Sequence, residues 1–170
     1  MDAFAGLLRP LHIVAASAWF GSALIFHGFV EPTAAALGKS AEPFFLRFLS
    51  GPFRTAISLA AVVTIAAGMG MYWHDSSGFT NGWIFSATGL SYTTGGVAAL
   101  LALVIALTVT GPNTLKLGAL EREFNANGWN LGDADLQRLH RAKRRLQYGG
   151  RIGTGLLFVA LVAMVVARAL

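Results

Sequence analysis

The chain has 170 residues, of which 55% are apolar and 12% charged, and it contains no cysteine. A soluble domain carries charge on about a quarter of its positions and, at this length, buries about two-thirds of the surface its unfolded chain exposes. A mean hydropathy of +0.59 therefore excludes a soluble globular fold and indicates one membrane domain over residues 1–170. The missing cysteines exclude disulfides, thiolate metal sites, iron–sulfur clusters and Cys nucleophiles, and the net charge of +5 sits beside apolar segments, as in positive membrane loops rather than a nucleic-acid surface.

Spanning about 30 Å of hydrocarbon takes about 20 mostly apolar residues in a helix, and four segments meet that requirement. They are Leu11–Val30, Phe53–Trp73, Ser86–Thr110 and Tyr148–Ala169. The first follows Arg9 but is too long, and too rich in His12, Trp19 and His27, for a cleaved leader. The expected fold is an all-α, antiparallel four-transmembrane-helix bundle.

Loop charge orients it. Lys39, Arg47 and Arg54 lie between the first two spans. Lys116, Arg122, Arg138, Arg141, Lys143, Arg144 and Arg145 lie between the last two. The positive-inside bias puts both loops in the cytoplasm and both termini outside the inner (plasma) membrane, together with the turn His74-Asp75-Ser76-Ser77-Gly78. Tyr72, Trp73, Trp83 and Tyr148 sit where aromatic rings favour the headgroup level, whereas Trp19 falls near mid-membrane and needs an internal partner for its indole N–H.

Lipid gives helices no hydrophobic reason to associate, so small residues mark their contacts. The stripes are Ala56-Ala60-Thr64-Gly68, Gly95-Ala99-Ala102-Ala106 and the Gly149-x-x-x-Gly153 pair. The long cytoplasmic loop is expected to be partly helical: Leu117, Leu120 and Phe124 prolong the third span past Pro112. After a turn at Asn127-Gly128, Asp133 or Asp135 caps a helix through Leu136, Leu139, Lys143 and Leu146. Its basic face is expected to anchor at anionic headgroups.

Ionisable groups within a membrane segment are costly and are candidates for function. His12 lies near the outer end of the first span and His74 closes the second at that end. His27 lies near the cytoplasmic end, towards which His140 is also placed. Two candidate pairs result, one per leaflet, with His12 and His27 about 22 Å apart on a shared face of one helix. Imidazole in a low-dielectric bundle ligates haem iron and also binds copper or zinc. The alternatives are an ordinary interfacial role for His74, beside Asp75, and membership of a basic surface helix for His140.

Met69 and Met71 precede His74 and suit Cu(I), although residues two apart point to different helix faces. Glu31, one turn beyond His27, is placed to hydrogen-bond it or accept a proton; Arg54 is its expected ion partner or, alternatively, a haem-propionate ligand. Gly149-Gly150-x-x-Gly153 lacks the preceding strand of a dinucleotide loop.

The run Leu11-His12-Ile13-Val14-Ala15-Ala16-Ser17-Ala18-Trp19-Phe20-Gly21 resembles the first helix of the CopD and HemJ type of small membrane proteins, where a leucine–histidine pair precedes a Trp-x-Gly or similar group. The ending Leu161-Val162-Ala163-Met164-Val165-Val166-Ala167-Arg168 is similar to their last helix. The resemblance implies a bundle that handles copper or binds haem b, with His12 the one site residue on a matching motif.

The leading expectation is a b-type haem protein for electron transfer or membrane oxidoreductase chemistry. It uses His12 and His27, with partners among His74, His140 and Met71. The rivals are a copper-handling protein, with His12, His74, Met71 and His27 as metal ligands, and a cofactor-free structural membrane protein. Besides lipid, the partners admitted are a redox protein or quinone and a second copy of the chain.

Overall fold

The computed structural model describes residues 3–130 and 132–170, and among these it is helical with no strand. Eight α-helices run as α1 (Ala3–Ile25), α2 (Glu31–Leu37), α3 (Glu42–Ser50), α4 (Pro52–Asp75), α5 (Asn81–Ile84), α6 (Ala87–Ile105), α7 (Gly111–Ala126) and α8 (Asp133–Ala167). Four continuous stretches, Gly6–Leu37, Pro52–Asp75, Ala87–Ala126 and Asp133–Ala167, are long and apolar enough to cross a membrane. Within the described residues only 17% to 22% of each apolar window is buried inside the protein. The remaining apolar surface requires lipid to cover it, so the chain is a four-helix membrane bundle.

Two of the crossing helices change pitch at a proline. A proline has no N–H and its ring collides with the carbonyl four residues back, and in both places the helix widens by one residue just ahead of it. The first π turn, Phe26–Val30, leads into Glu31-Pro32, and the Glu31 N–H reaches the Phe26 carbonyl. The second, Ala106–Thr110, leads into Gly111-Pro112, and the Gly111 N–H reaches the Ala106 carbonyl. Asn113 Nδ2 donates to the Val109 carbonyl at 2.7 Å, which helps to satisfy the backbone at the second turn.

Packing divides the bundle into two antiparallel pairs, α1 with α4 and α6 with α8, which touch each other much less than they touch within themselves. Each pair thus has a helix broken by a π turn ahead of a proline. The pairs separate at the end that carries Arg9, Arg168 and the α4–α6 turn, here termed the terminal end. Tyr72 on α4 bridges the gap there: its hydroxyl lies 2.6 Å from Thr93 Oγ1 on α6, and the Thr93 hydroxyl in turn donates to the Gly89 carbonyl.

The other end, which carries the basic loops, is closed by a cap of soluble-protein character. Phe45, Leu46 and Leu49 of α3 meet Leu117, Leu120 and Phe124 of α7 and Leu139 and Leu146 of α8. Leu46, Leu117, Phe124 and Leu139 are the largest fully buried apolar side chains among the described residues. Lys143 fastens α8 to α3 through Glu42, with its ammonium 4.8 Å above the Phe45 ring.

This cap explains why the helices outrun the spans expected from hydropathy. At about 1.5 Å per residue, the 35 residues of α8 extend about 52 Å, well beyond about 30 Å of hydrocarbon. The loop is helical as expected, but α8 is one unbroken helix. Its basic residues therefore continue along the bundle axis beside α7 instead of turning onto the membrane surface.

Candidate functional site

His12 is buried on α1, facing α4. Its Nδ1 lies 2.8 Å from the Thr64 carbonyl. A carbonyl only accepts, so Nδ1 carries the proton and the lone pair is left on Nε2. The Thr64 hydroxyl bonds its own helix at the Ala60 carbonyl, 2.7 Å away, and so leaves the imidazole undisturbed. Close approach of the ring depends on Gly68: a Cβ there would come within 2.9 Å of His12 Cε1. The small-residue stripe on α4 therefore makes room for an imidazole as well as for a helix.

The ring borders a cavity of about 690 Å³ between the two helix pairs at the terminal end. The His12 Nε2 has no hydrogen-bond partner among the described residues and is not sealed off from this space. Aromatic walls come from Tyr72, Trp83 and Tyr92, with Trp83 edge-on to Tyr72 at 5.2 Å and stacked on Tyr92 at 6.2 Å. Arg9 and Arg168 line the same cavity, as do Met69, Met71 and Met164. Trp19 borders it too; its indole N–H, expected to bond internally, finds no partner among the described residues.

The second histidine of α1 sits in a different setting. His27 lies within the first π turn, and its Nδ1 is 2.9 Å from Glu31 Oε2. Its opposite edge rests on α8, where a Cβ on Gly150 would overlap both Cε1 and Nε2. Gly149 makes the equivalent approach to the second π turn, since a Cβ there would come within 2.8 Å of Val109 Cγ1. Adjacent glycines thus carry α8 between the two π turns, whereas a Cβ on Gly153 would meet nothing within 4 Å. The close contact runs through Gly149-Gly150, not through the expected Gly149-x-x-x-Gly153 pair.

The histidine pairs expected for each leaflet do not form. His74 lies about 9 Å further along α4 than Gly68, on which His12 rests. It does not line the cavity, and its Nδ1 is 3.2 Å from Asp75 Oδ1. His140 is exposed on α8, about 15 Å along the axis from Gly150, on which His27 rests. The expected hydrogen bond between His27 and Glu31 forms, as an i,i+4 pair on one helix face; Arg54, exposed at the start of α4, is not the ion partner of Glu31. Arg54 also lies at the far end from the cavity, whose lining cations are Arg9 and Arg168 instead.

No group of three or more His, Asp or Glu side chains able to hold a metal occurs among the described residues. Gly68, Gly150 and Met164 were outside the sequence-based candidate set. The repetition of glycine on α4 and α8 was visible as a packing signal, but which glycines meet a histidine depends on the tertiary pairing. Comparison of the chain with protein families, curated proteins and solved structures finds no match.

Proposed function

We propose that the protein is a membrane haem protein of the b type, with His12 as the axial ligand in the cavity at the terminal end. The observation that carries this reading is the His12 imidazole, whose Nδ1–H is fixed by the Thr64 carbonyl while Nε2 stays free beside a large apolar space. Anchoring the non-ligating nitrogen fixes tautomer and ring orientation, as at metal-bound histidines generally. The cavity volume of about 690 Å³ lies within the range of about 300–1,000 Å³ typical of cofactor and ligand sites. Arg9 and Arg168 offer cations for carboxylates, and the aromatic side chains offer faces for a planar ring.

Haem bound there would supply one-electron redox chemistry at that end of the bundle. The protein's part is to fix the imidazole, exclude water with aromatic and aliphatic walls, and neutralise acidic substituents. The reading agrees with the likeness of the first helix to CopD- and HemJ-type proteins at His12. It favours one haem over two, because the Nε2 edge of His27 is occupied by Gly150.

Copper handling is the second reading, favoured by Met69, Met71 and Met164 around the same cavity as His12, since thioether with imidazole suits Cu(I). Purification after expression with ample haem separates the two. A Soret band lost in His12→Ala supports haem; absence of the band with stoichiometric copper by metal analysis supports the second reading.

A further inference from the structure

We infer that the groove between α7 and α8 at the basic end of the bundle is a binding site for one anionic phospholipid, whose phosphodiester is held by the groove's cations. The groove has a volume of about 530 Å³ and is lined by four cations, Lys116, Arg138, Arg141 and Arg145, against one carboxylate, Glu123. Arg138 is already committed, with its guanidinium 3.2 Å from Glu123 Oε1 and 3.3 Å from Asp135 Oδ1. Lys116, Arg141 and Arg145 form no ion pair or hydrogen bond among the described residues.

The Glu123–Arg138 pair fixes the register of the two antiparallel helices. Lys116 lies seven residues back from Glu123 on α7, and Arg145 seven residues on from Arg138 on α8, so the two cations stand across the groove from each other, each about 10 Å from that pair. Arg141 and Arg145 are one turn apart on one face, a spacing at which like charges repel. An anion between these three side chains removes the repulsion, and the planar guanidinium matches two phosphate oxygens at once. Asn113, only 5% exposed, lines the groove on the side of the apolar spans. Its amide gives one proton to the Val109 carbonyl and retains a second for a ligand oxygen.

The surroundings favour a lipid over a soluble anion. Tyr148, exposed on α8, stands where the apolar span begins and where aromatic rings favour the headgroup level. Arg145 and Arg141 lie about 4.5 and 10 Å beyond it along the helix, in or beside the interfacial layer that adds about 5–8 Å to each side of the hydrocarbon, and their long side chains reach back toward it. In the other direction, the seven-residue spacing that sets Arg138 and Arg145 on one face continues to Ile152 and Val159, which are 56% and 46% exposed and need acyl chains to cover them. One face of α8 thus passes from phosphate-binding to chain-binding, as an amphiphile requires. The three unpaired cations select a headgroup with net negative charge, since a choline headgroup would bring a further cation to them.

Native mass spectrometry of the full chain in detergent, with phosphatidylglycerol and phosphatidylcholine of identical chains present in equal amounts, tests the inference. The expected result is one phosphatidylglycerol retained per chain in preference to phosphatidylcholine. The double variant Arg141→Gln with Arg145→Gln should weaken that retention about thirtyfold, whereas Arg122→Gln with Arg144→Gln, which removes two exposed cations outside the groove, should change it by less than about threefold. If the first double variant does not fold, Lys116→Gln replaces it, with an expected loss of about fivefold. Equal losses from the two double variants would show diffuse attraction to the basic end and overturn the inference. So would equal retention of the two lipids. Glycerophosphoglycerol and inorganic phosphate, each at the lipid's concentration, should neither bind nor displace it; displacement by either assigns the groove to a soluble phosphate instead. The measurement needs no haem and is independent of the reading at His12.

Discussion

Gly150→Ala isolates the contact between α8 and the first π turn. The added Cβ would overlap Cε1 and Nε2 of His27, so either α8 moves away or the imidazole leaves Glu31. Displacing α8 is an overpacking change of about 1–3 kcal/mol. Expelling the ring breaks a buried pair, at about 3–5 kcal/mol. The better helix propensity of alanine offsets about 1 kcal/mol of either. The chain relaxes by the cheaper of the two routes, so the net loss should be up to about 2 kcal/mol. Gly153→Ala makes the same chemical change one turn later on the same helix, where a Cβ meets nothing within 4 Å, and should stabilise by up to about 1 kcal/mol. Unfolding by SDS titration, followed by circular dichroism in one detergent, reads both variants. Equal midpoints for the two would refute the packing argument. In a double-mutant cycle with His27→Ala, most of the Gly150→Ala loss should disappear.

Gly68→Ala should weaken haem retention without unfolding the bundle, because a Cβ within 2.9 Å of His12 Cε1 moves the imidazole off the Thr64 carbonyl; the Soret band of the purified variant checks it. Phe124→Ala removes one of the largest buried side chains of the cap and should destabilise by about 3–5 kcal/mol. Any haem bound by the folded fraction should keep an unchanged spectrum, since the cap is remote from the cavity. Tyr72→Phe removes the hydroxyl bridge to Thr93 and should lower stability by about 0.6–1.7 kcal/mol, the range for interhelical hydrogen bonds in membranes. A C-terminal reporter active only in the cytoplasm should stay silent if loop charge sets the topology.

Hydropathy located all four crossing helices because a lipid-facing helix is apolar on most of its surface, and the loop stripe Leu117, Leu120, Phe124 was legible because it faces a soluble-type core. What hydropathy does not record is where a helix stops once it leaves lipid: the amphipathic stripe carried the third crossing helix past Pro112 and Asp133 marked a helix start, but that this helix runs unbroken into the last span appeared only with the structure. His12 and His27 stood out as ionisable groups in apolar segments. Glu31 was legible as the partner of His27 from its i,i+4 spacing. The other contacts were not: the hydrogen-bond acceptor of His12 is a backbone carbonyl, which any residue at position 64 supplies, and His27 rests against a glycine, which has no side chain to flag it. Pairing histidines by depth failed because side-chain register depends on how α1 meets α4 and α8. Both π turns follow from Pro32 and Pro112.

Haem titration of the purified apoprotein tests the central claim most directly, with absorbance read for the wild type, His12→Ala and His27→Ala side by side. The account predicts saturation at one haem per chain, no Soret-absorbing complex with His12→Ala, and a wild-type stoichiometry with His27→Ala in the folded fraction. A wild-type chain that binds no haem, or a His12→Ala chain that binds it as the wild type does, would contradict it.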